Sequence, residues 1–379
     1  MKKILIASSD AMMYQFLLKH AHHLSQNGWQ VDIASLRAYG YEKQNYIERI
    51  DREKPDGSKF FEISATRSPL SLKNITGYKQ LKKIITENKY DLVWCNEPVM
   101  GVLTRLAARK NRKYGMKVMY VTHGFHFYKG APKLNWIVYY SIEKFFTRFT
   151  DLLVTVNKED FAYAKENMKY KDIKYISGIG YNSKIDEIGK VDVSEKRRLF
   201  GIPEEAFLVL SVGELNDNKN HRVVIEALGK LKNDNIYYLV CGDGDNMEIL
   251  KSLASQNGIA DKVILPGFRE DVGEIYPIAD LYCFPSIREG LSVSMLEAMS
   301  NGLPIVCSDI RGNRDLIKDG EGGFLVSPHD ADGFCNGIKT LYENPEMRKT
   351  SSEINKQNVV PYNEENAEKT MKKIVEEIL

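Results

Sequence analysis

The chain has 379 residues, 43% of them hydrophobic and 27% charged, with a formal net charge of +2. That length exceeds one ordinary core and fits two domains of roughly 180 residues each. No run approaches the ~18 apolar residues of a spanning helix, and the opening Met1-Lys2-Lys3 precedes only four apolar residues, too few for a signal peptide, so a cytoplasmic protein is expected.

From the first residues, short β-branched runs alternate with helical patterns, at 4–7, 31–34, 60–63, 92–95, 118–121, 152–156 and 173–176. Such alternation predicts a parallel sheet wrapped by helices. Asn27-Gly28 is expected to end the first helix, and Asn157 with Asp160 to open a later one. His20, His22 and His23 lie on the first helix without a carboxylate or cysteine partner nearby, and are expected at the surface. Asn96-Glu97-Pro98 follows a strand, where Asn96 and Glu97 are candidate ligand contacts.

Between Arg105 and Arg148 stand ten Lys or Arg residues against one acid, Glu143, with Phe125, Phe127, Tyr128, Trp136, Tyr139, Tyr140, Phe145 and Phe146 among them. A basic, aromatic surface suits anionic lipid headgroups, a lipid-linked phosphate or nucleic acid. Leu134, Ile137, Val138, Ile142 and Phe145, however, have the spacing of a core-facing helix. In the same segment, Thr122-His123-Gly124-Phe125-His126 ends a strand, where His123, and less so His126, can bond a sugar hydroxyl or relay a proton.

After Ser177-Gly178-Ile179-Gly180 the pattern pauses to about Lys196, the expected linker. A second series follows, with strands expected at 207–212, 236–241, 263–265, 281–284, 305–307 and 324–326. Two doubly wound domains in tandem place ligands at the carboxyl ends of their strands. The tail, 364–379, is helical in pattern and is expected to return to the first domain. The five cysteines, Cys95, Cys241, Cys283, Cys307 and Cys335, are odd in number and far apart, and read as reduced packing residues.

The second series carries the chemistry. Gly213 follows a strand and lets backbone approach a ligand, and Lys219, later in the same loop, can counter phosphate charge. His221 is either a ligand contact or a helix residue without a role. Cys241-Gly242-Asp243-Gly244-Asp245 contains an Asp-x-Asp, readable as a metal pair or as a turn with Asp245 as helix cap; no metal is expected, because the lysine and a helix N-terminus already neutralise a diphosphate. Gly242-x-Gly244 lacks the rest of a dinucleotide fingerprint, so no nicotinamide cofactor is expected. Pro266 to Asp271 forms a loop in which exposed backbone groups and the aromatic Phe268 can hold a base, or a turn capped by Asp271. The stretch from Phe284 to Met299 sets Glu289 in a loop, Ser292 as helix N-cap and Glu297 one turn inside the helix. Backbone N-H groups at that first turn seat an anion, and the two carboxylates suit hydroxylated sugars on either side of a diphosphate.

Together these residues resemble the family-4 retaining glycosyltransferases of the GT-B fold, over nearly the whole chain. The stretch with Glu289 and Glu297, the following Ala298 to Val306 and the Lys219 loop carry the resemblance most specifically. Thr122 to Pro132 and Gly101 to Arg109 resemble the branch that builds bacterial exopolysaccharide and capsule. The resemblance implies a Rossmann-like acceptor-side domain at 1–180, joined by helix 364–379, and a nucleotide-sugar domain at 190–360. It implies that Glu289 meets donor-sugar hydroxyls, that Gly290, Leu291 and Ser292 cradle phosphate, that Glu297 holds the ribose and Lys219 the diphosphate. Phe268 and Arg269 would hold the base, and His123 the donor sugar near the reacting carbon. Transfer would proceed with retention by front-face attack, the leaving phosphate accepting the acceptor's proton.

Two departures stand out. Many relatives have an arginine where this chain has Glu214, with Arg269 or Arg288 as possible replacements, and the glycine-rich loop common after the first strand is absent near Ser8-Ser9-Asp10. The expected activity is transfer of a sugar from a nucleotide sugar, with UDP as the expected nucleotide, to a lipid-linked saccharide at the inner, anionic membrane face, with no nucleic-acid partner. A nucleotide-sugar epimerase and a non-catalytic sugar-nucleotide-binding subunit are the alternatives.

Overall fold

Thirteen strands divide between two parallel sheets in a computed structural model that describes residues 1–9, 14–36, 48–181 and 191–379. The first sheet contains β1 (Lys3–Ser8), β2 (Gln30–Leu36), β3 (Phe60–Ile63), β4 (Leu92–Asn96), β5 (Lys117–Thr122), β6 (Leu152–Thr155) and β7 (Ile173–Tyr175), ordered β3-β2-β1-β4-β5-β6-β7. The second contains β8 (Phe207–Val212), β9 (Ile236–Cys241), β10 (Val263–Gly267), β11 (Leu281–Phe284), β12 (Ile305–Ser308) and β13 (Gly323–Val326), ordered β10-β9-β8-β11-β12-β13. Each strand order reverses direction once, between β1 and β4 and between β8 and β11, and such switch points open a crevice at the strands' carboxyl ends.

The central strands are buried on both faces, which is why they read as continuous apolar runs. Residues 1–180 and 365–379 form one compact unit and 181–364 the other. Within the first unit the tail helix Glu364–Ile378 is tied by Lys174 to Glu377 at 2.9 Å and by His23 to Glu368 at 3.5 Å. The expected linker ends sooner than Lys196: Asp192 caps helix Val193–Leu199, and Lys196 is ion-paired with Asp271 and Glu274. The middle of that linker, 182–190, and Asp10 of the first loop lie outside the described residues.

Several expectations give way to packing. His20 is buried: its ring meets Trp94 edge-on at 5.7 Å and its Nε2 lies 3.2 Å from the Ile179 carbonyl. Burial lowers its pKa to about 4, opposed by that carbonyl. Arg105 belongs to no surface either. It is fully buried in helix Pro98–Ala108, bidentate to Glu143 at 2.9 and 3.1 Å and over the Tyr120 ring at 4.1 Å. The supposed lone acid of the basic segment is therefore spent on one of its ten cations.

Leu134, Ile137, Val138 and Phe145 are solvent-exposed and not core-facing. The helical segment 133–149 carries two apolar stripes, and a π-turn at Trp136–Tyr140 adds a residue between them. The aromatic stripe wins the interior: Trp136, Tyr140 and Tyr163 surround Phe127 at centroid distances of 5.6, 5.4 and 5.8 Å. Larger rings bury more apolar area than the aliphatic residues they displace.

Candidate active site

In the second unit the site assembles at the β8/β11 switch point from two loops pinned to each other. Backbone crowding begins it: a Cβ on Gly242 would lie 1.9 Å from the Gly213 carbonyl oxygen, so only glycine lets the β8 and β9 loops approach this closely. A Cβ on Gly213 would in turn sit 3.2 Å from Lys219 Cε. The Asn216 side chain accepts from the Lys219 N-H at 3.0 Å. Asn218 takes the Ile287 N-H on its carbonyl at 2.8 Å and donates Nδ2 to the Arg288 carbonyl at 3.1 Å. Asn220, at φ 55°, donates Nδ2 to the Pro285 and Pro328 carbonyls at 3.1 and 2.7 Å. Asparagine tolerates that left-handed backbone better than most residues.

The outcome is an ion pair, Lys219 Nζ to Glu289 Oε1 at 2.7 Å, with the ammonium 5.1 Å from the Phe284 ring centroid. Both side chains are about one-fifth exposed, a setting in which a charge pair keeps more of its strength than in bulk water. The Glu289 carbonyl accepts from the buried Arg311 Nε at 3.2 Å, and Gly312 packs its Cα against the Gly290 carbonyl.

Immediately after Leu291, Ser292 caps helix Val293–Ser300, its hydroxyl accepting the Met295 N-H at 3.4 Å. The first-turn N-H groups of a helix N-terminus are the kind of place where an anion can be seated. Glu297, one turn in, accepts from the Tyr276 hydroxyl at 2.9 Å. Burial first and the Glu297 charge second push the Tyr276 pKa up, which keeps the hydroxyl a donor. Tyr282 reinforces the turn by donating to Ser294 Oγ at 2.9 Å.

Other expected residues stand apart from this cluster. Phe268 is 56% exposed. Arg269 is bidentate to Asp271 at 2.8 and 2.7 Å, and those bonds, joined by Lys196, hold the Asp271 carboxyl well below the usual carboxylate range. Asp271 thus binds cations and makes no side-chain cap of its helix. Asp245 is no cap either: Asn246 holds that position, and Asp243 accepts the Gly244 N-H. His221 is a buried packing residue with Nδ1 3.2 Å from the Tyr238 hydroxyl. Burial first, then the Lys219 charge, lowers its pKa to about 3. Glu214 is exposed with no side-chain partner, and Arg288 is half-buried with none. Among the described residues, no three His, Cys, Asp or Glu side chains gather as a metal site.

In the first unit the strand ends of β1, β4 and β5 meet. Asn96 is fully buried and cannot touch an acceptor: its Nδ2 donates to the Ala7 carbonyl and its Oδ1 faces Trp94 Nε1 and His123 Nε2, all at 3.2 Å. Glu97, at φ 59°, spends its carboxylate on Ser8 Oγ at 3.0 Å and on Ser9 N at 2.6 Å and Oγ. His126 stacks on Tyr139 at 4.7 Å. The Phe125 N-H is held by Asp160 at 2.9 Å, which fixes the loop after His123. Asn218, Tyr276 and Arg311 escaped the sequence reading. Asn218 lies in an asparagine-rich loop, a signal for local caps, whereas Tyr276 and Arg311 are recruited by tertiary contact alone.

Two doubly wound units, the second with the Lys219–Glu289 pair and a capped helix N-terminus at its switch point, define a tandem α/β architecture of the kind that binds ligands at its strands' carboxyl ends. Family models agree: residues 3–157 match "Glycosyl transferase 4-like" and residues 192–358 match "Glycosyl transferases group 1". The chain is 38% identical over 351 residues, 91% of itself and 89% of its relative, to the Bacillus subtilis (strain 168) protein named "Putative glycosyltransferase EpsD". It is 30% identical over 289 residues, 74% of itself and 73% of its relative, to the Escherichia coli UDP-Gal:alpha-D-GlcNAc-diphosphoundecaprenol alpha-1,3-galactosyltransferase. Among solved structures, Anabaena HepE in complex with UDP and glucose superposes with a TM-score of 0.81 at 19% identity, covering all of both chains. Sucrose-phosphate synthase from Thermosynechococcus elongatus superposes with a TM-score of 0.80 at 17% identity, covering 100% of this chain and 99% of that one. The chain belongs to the family-4 glycosyltransferases, and it is a glycosyltransferase of the GT-B fold.

Proposed function

We propose that this glycosyltransferase moves a sugar from a UDP-sugar to a saccharide carried on a lipid diphosphate, with retention at the anomeric carbon, while resting on an anionic membrane surface. The Lys219–Glu289 pair just before the Ser292-capped helix is the observation that supports the reading, because a cation, a carboxylate and a helix N-terminus are what a sugar diphosphate would need. The printed donor and acceptor of the E. coli relative and the UDP of the HepE complex support the choice of nucleotide and lipid carrier.

In this reading Glu289 takes donor-sugar hydroxyls and Gly290, Leu291 and Ser292 offer backbone N-H groups to the diphosphate. Glu297 holds ribose hydroxyls and His123 a hydroxyl of the transferred sugar, while Phe268 packs on the base. Arg269 is committed to Asp271, so Arg288 supplies the second cation that Glu214 denies the loop. The acceptor oxygen bonds to the anomeric carbon on the face from which the diphosphate leaves. The carbon–oxygen bond to phosphate breaks, and the acceptor proton passes to the departing phosphate oxygen. Lys219 and the helix N-terminus stabilise the charge that accumulates there.

Among the described residues no helix is long and apolar enough to cross a membrane. Contact with the bilayer would fall to segment 133–149, where exposed Leu134, Ile137, Val138 and Phe145 lie among exposed Lys129, Lys133, Lys144 and Arg148.

The test is donor binding and transfer. UDP, GDP and ADP sugars are screened by thermal shift, and the stabilising donor is offered with a polyprenyl-diphosphate saccharide. A UDP-sugar is expected to raise the melting temperature and to give product with the donor's anomeric configuration. Stabilisation by a GDP- or ADP-sugar alone, or inversion, would overturn the donor or the stereochemistry, and full transfer by Glu289→Ala would overturn the site.

A further inference from the structure

We infer that loop 64–72 and the first turns of helix Lys73–Asn88 form a second membrane-contact element, in which Leu70, Leu72 and Ile75 dip into an anionic bilayer while Lys79, Lys82 and Lys83 meet its headgroups. The inference deepens the contact proposed above for segment 133–149 and rests on that reading for the bilayer as partner. A separate stretch of chain carries it.

Leu70 is 92%, Leu72 81% and Ile75 54% exposed, and the packing behind them explains why they point outward. Buried Asn74 clamps the loop from within: its Oδ1 accepts the Thr66 N-H at 2.9 Å and its Nδ2 donates to the Ser68 carbonyl at 2.8 Å. Backbone bonds close the turn, from the Ser71 N-H to the Ser68 carbonyl at 3.2 Å and from the Ile75 N-H to the Leu72 carbonyl at 3.1 Å. Further along the helix, a Cβ on Gly77 would lie 2.6 Å from Ala65 Cβ, and Leu81 and Ile85 are buried. With Asn74, Gly77, Leu81 and Ile85 inward, a repeat of 3.6 residues puts Leu72, Lys79 and Lys83 on the opposite face, flanked by Ile75 and Lys82. A fixed loop therefore holds the two leucines in water, where they gain none of the free energy that burial gives an apolar side chain. Grouped apolar residues rimmed by polar ones mark an interaction surface.

Charge selects the partner. From 63 to 86 the sequence contains Arg67, Lys73, Lys79, Lys82 and Lys83 and no Asp or Glu. All five cations are exposed. A nucleic acid or an acidic protein would use the cations and leave the leucines wet, whereas an anionic bilayer uses both. The spacing agrees: Lys79 lies about 10 Å along the axis from Leu72 at 1.5 Å per residue, close to the depth at which an interfacial apolar face is buried. Its ammonium then sits among the headgroups.

Sheet order brings this tip alongside segment 133–149. The strands from β3 to β5 are all parallel, so the loop leaving β3 and the loop leaving β5 toward Lys133 emerge at the same, carboxyl, edge of the sheet. Four strand steps separate them, about 19 Å. One bilayer plane can meet both tips, and two separated contacts fix the tilt of the unit, which a single contact leaves free.

The experiment is flotation of full-length protein with vesicles of phosphatidylglycerol mixed with phosphatidylcholine, and with phosphatidylcholine alone, in the absence of nucleotide sugar and acceptor. Leu70→Ser with Leu72→Ser is expected to lower the partition coefficient on mixed vesicles by about tenfold. Lys79→Gln with Lys82→Gln should lower it by about as much at low salt and by less at high salt. Ile249→Ser, at an exposed apolar position of the second unit, should leave it unchanged. Melting temperatures of these variants should match wild type, because every altered side chain faces solvent. Unchanged binding by either double variant overturns the inference; if Leu134→Ser with Ile137→Ser still weakens binding, segment 133–149 stands as the membrane contact by itself. Equal binding of wild-type protein to phosphatidylcholine alone overturns the choice of an anionic partner, and binding to no vesicle overturns both this inference and the membrane contact it rests on.

Discussion

Glu289 is held at both ends, its carboxylate by Lys219 and its carbonyl by Arg311, so its loop is fixed from two sides. Removing one partner leaves the other charge partly buried and unpaired. Lys219→Ala is expected to lower kcat/KM for the donor by about 100-fold, in line with the loss of one stabilising group at a developing charge. Arg288→Ala should raise the donor KM with a smaller fall in kcat, and equal activity in that variant would assign the second cation elsewhere. Backbone fit is as demanding as charge. Gly242→Ala would drive a methyl into the Gly213 carbonyl, and is expected to destabilise the second unit by about 1–3 kcal/mol in urea unfolding while raising the donor KM, since Gly213 borders Lys219. At this scale the local placement of Glu289 in a loop, Ser292 as helix cap and Glu297 inside the helix was legible because a short-range motif sets it. Asn96 was misread because its three partners come from β1, β4 and β5, which no local pattern brings together.

The elements tell a similar story about burial. Every expected strand exists, with ends moved by at most two residues, because the central strands, buried on both faces, and the half-buried edge strands alike leave short apolar runs bounded by turn residues. Segment 133–149 was not legible in the same way: periodicity counted two apolar stripes and could not say that the aromatic one wins the core. Its exposed stripe makes an element-level prediction. Leu134→Ser with Ile137→Ser should weaken binding to vesicles rich in anionic phosphatidylglycerol, and added salt should weaken wild-type binding because four flanking cations contribute. A wild-type protein that binds no vesicle would remove the membrane from the proposal. Arg105 and Glu143, which tie helix Pro98–Ala108 to the later part of this segment, predict a different effect. Glu143→Ala should cost about 3–5 kcal/mol by stranding a buried guanidinium, whereas Arg105→Met combined with Glu143→Leu should cost far less. Urea unfolding of the three proteins distinguishes the cases.

Across the whole molecule each unit owns a core, and each core contains one buried histidine at the start of a cleanly signed pH effect. Burial holds the His20 ring at about 4 and the His221 ring at about 3, against 6.5 for a free imidazole. Above pH 6.5 the ring is neutral in folded and unfolded chain alike, and stability is indifferent to it. Below 6.5 the unfolded chain takes up a proton that the folded unit refuses, so stability falls as pH falls, at about 1.4 kcal/mol per pH unit for each ring. For His20 the loss ends near pH 4, where the folded ring begins to protonate as well. His20→Gln removes that term from the first unit and leaves His221 in the second. Thermal midpoints measured between pH 7 and 4.5 should therefore fall less steeply for the first transition of His20→Gln than for wild-type protein, with the second unit's transition unchanged. Equal slopes for the two proteins would show that His20 protonates in the folded state at ordinary pH, and that Ile179 and Trp94 do not seal it from water.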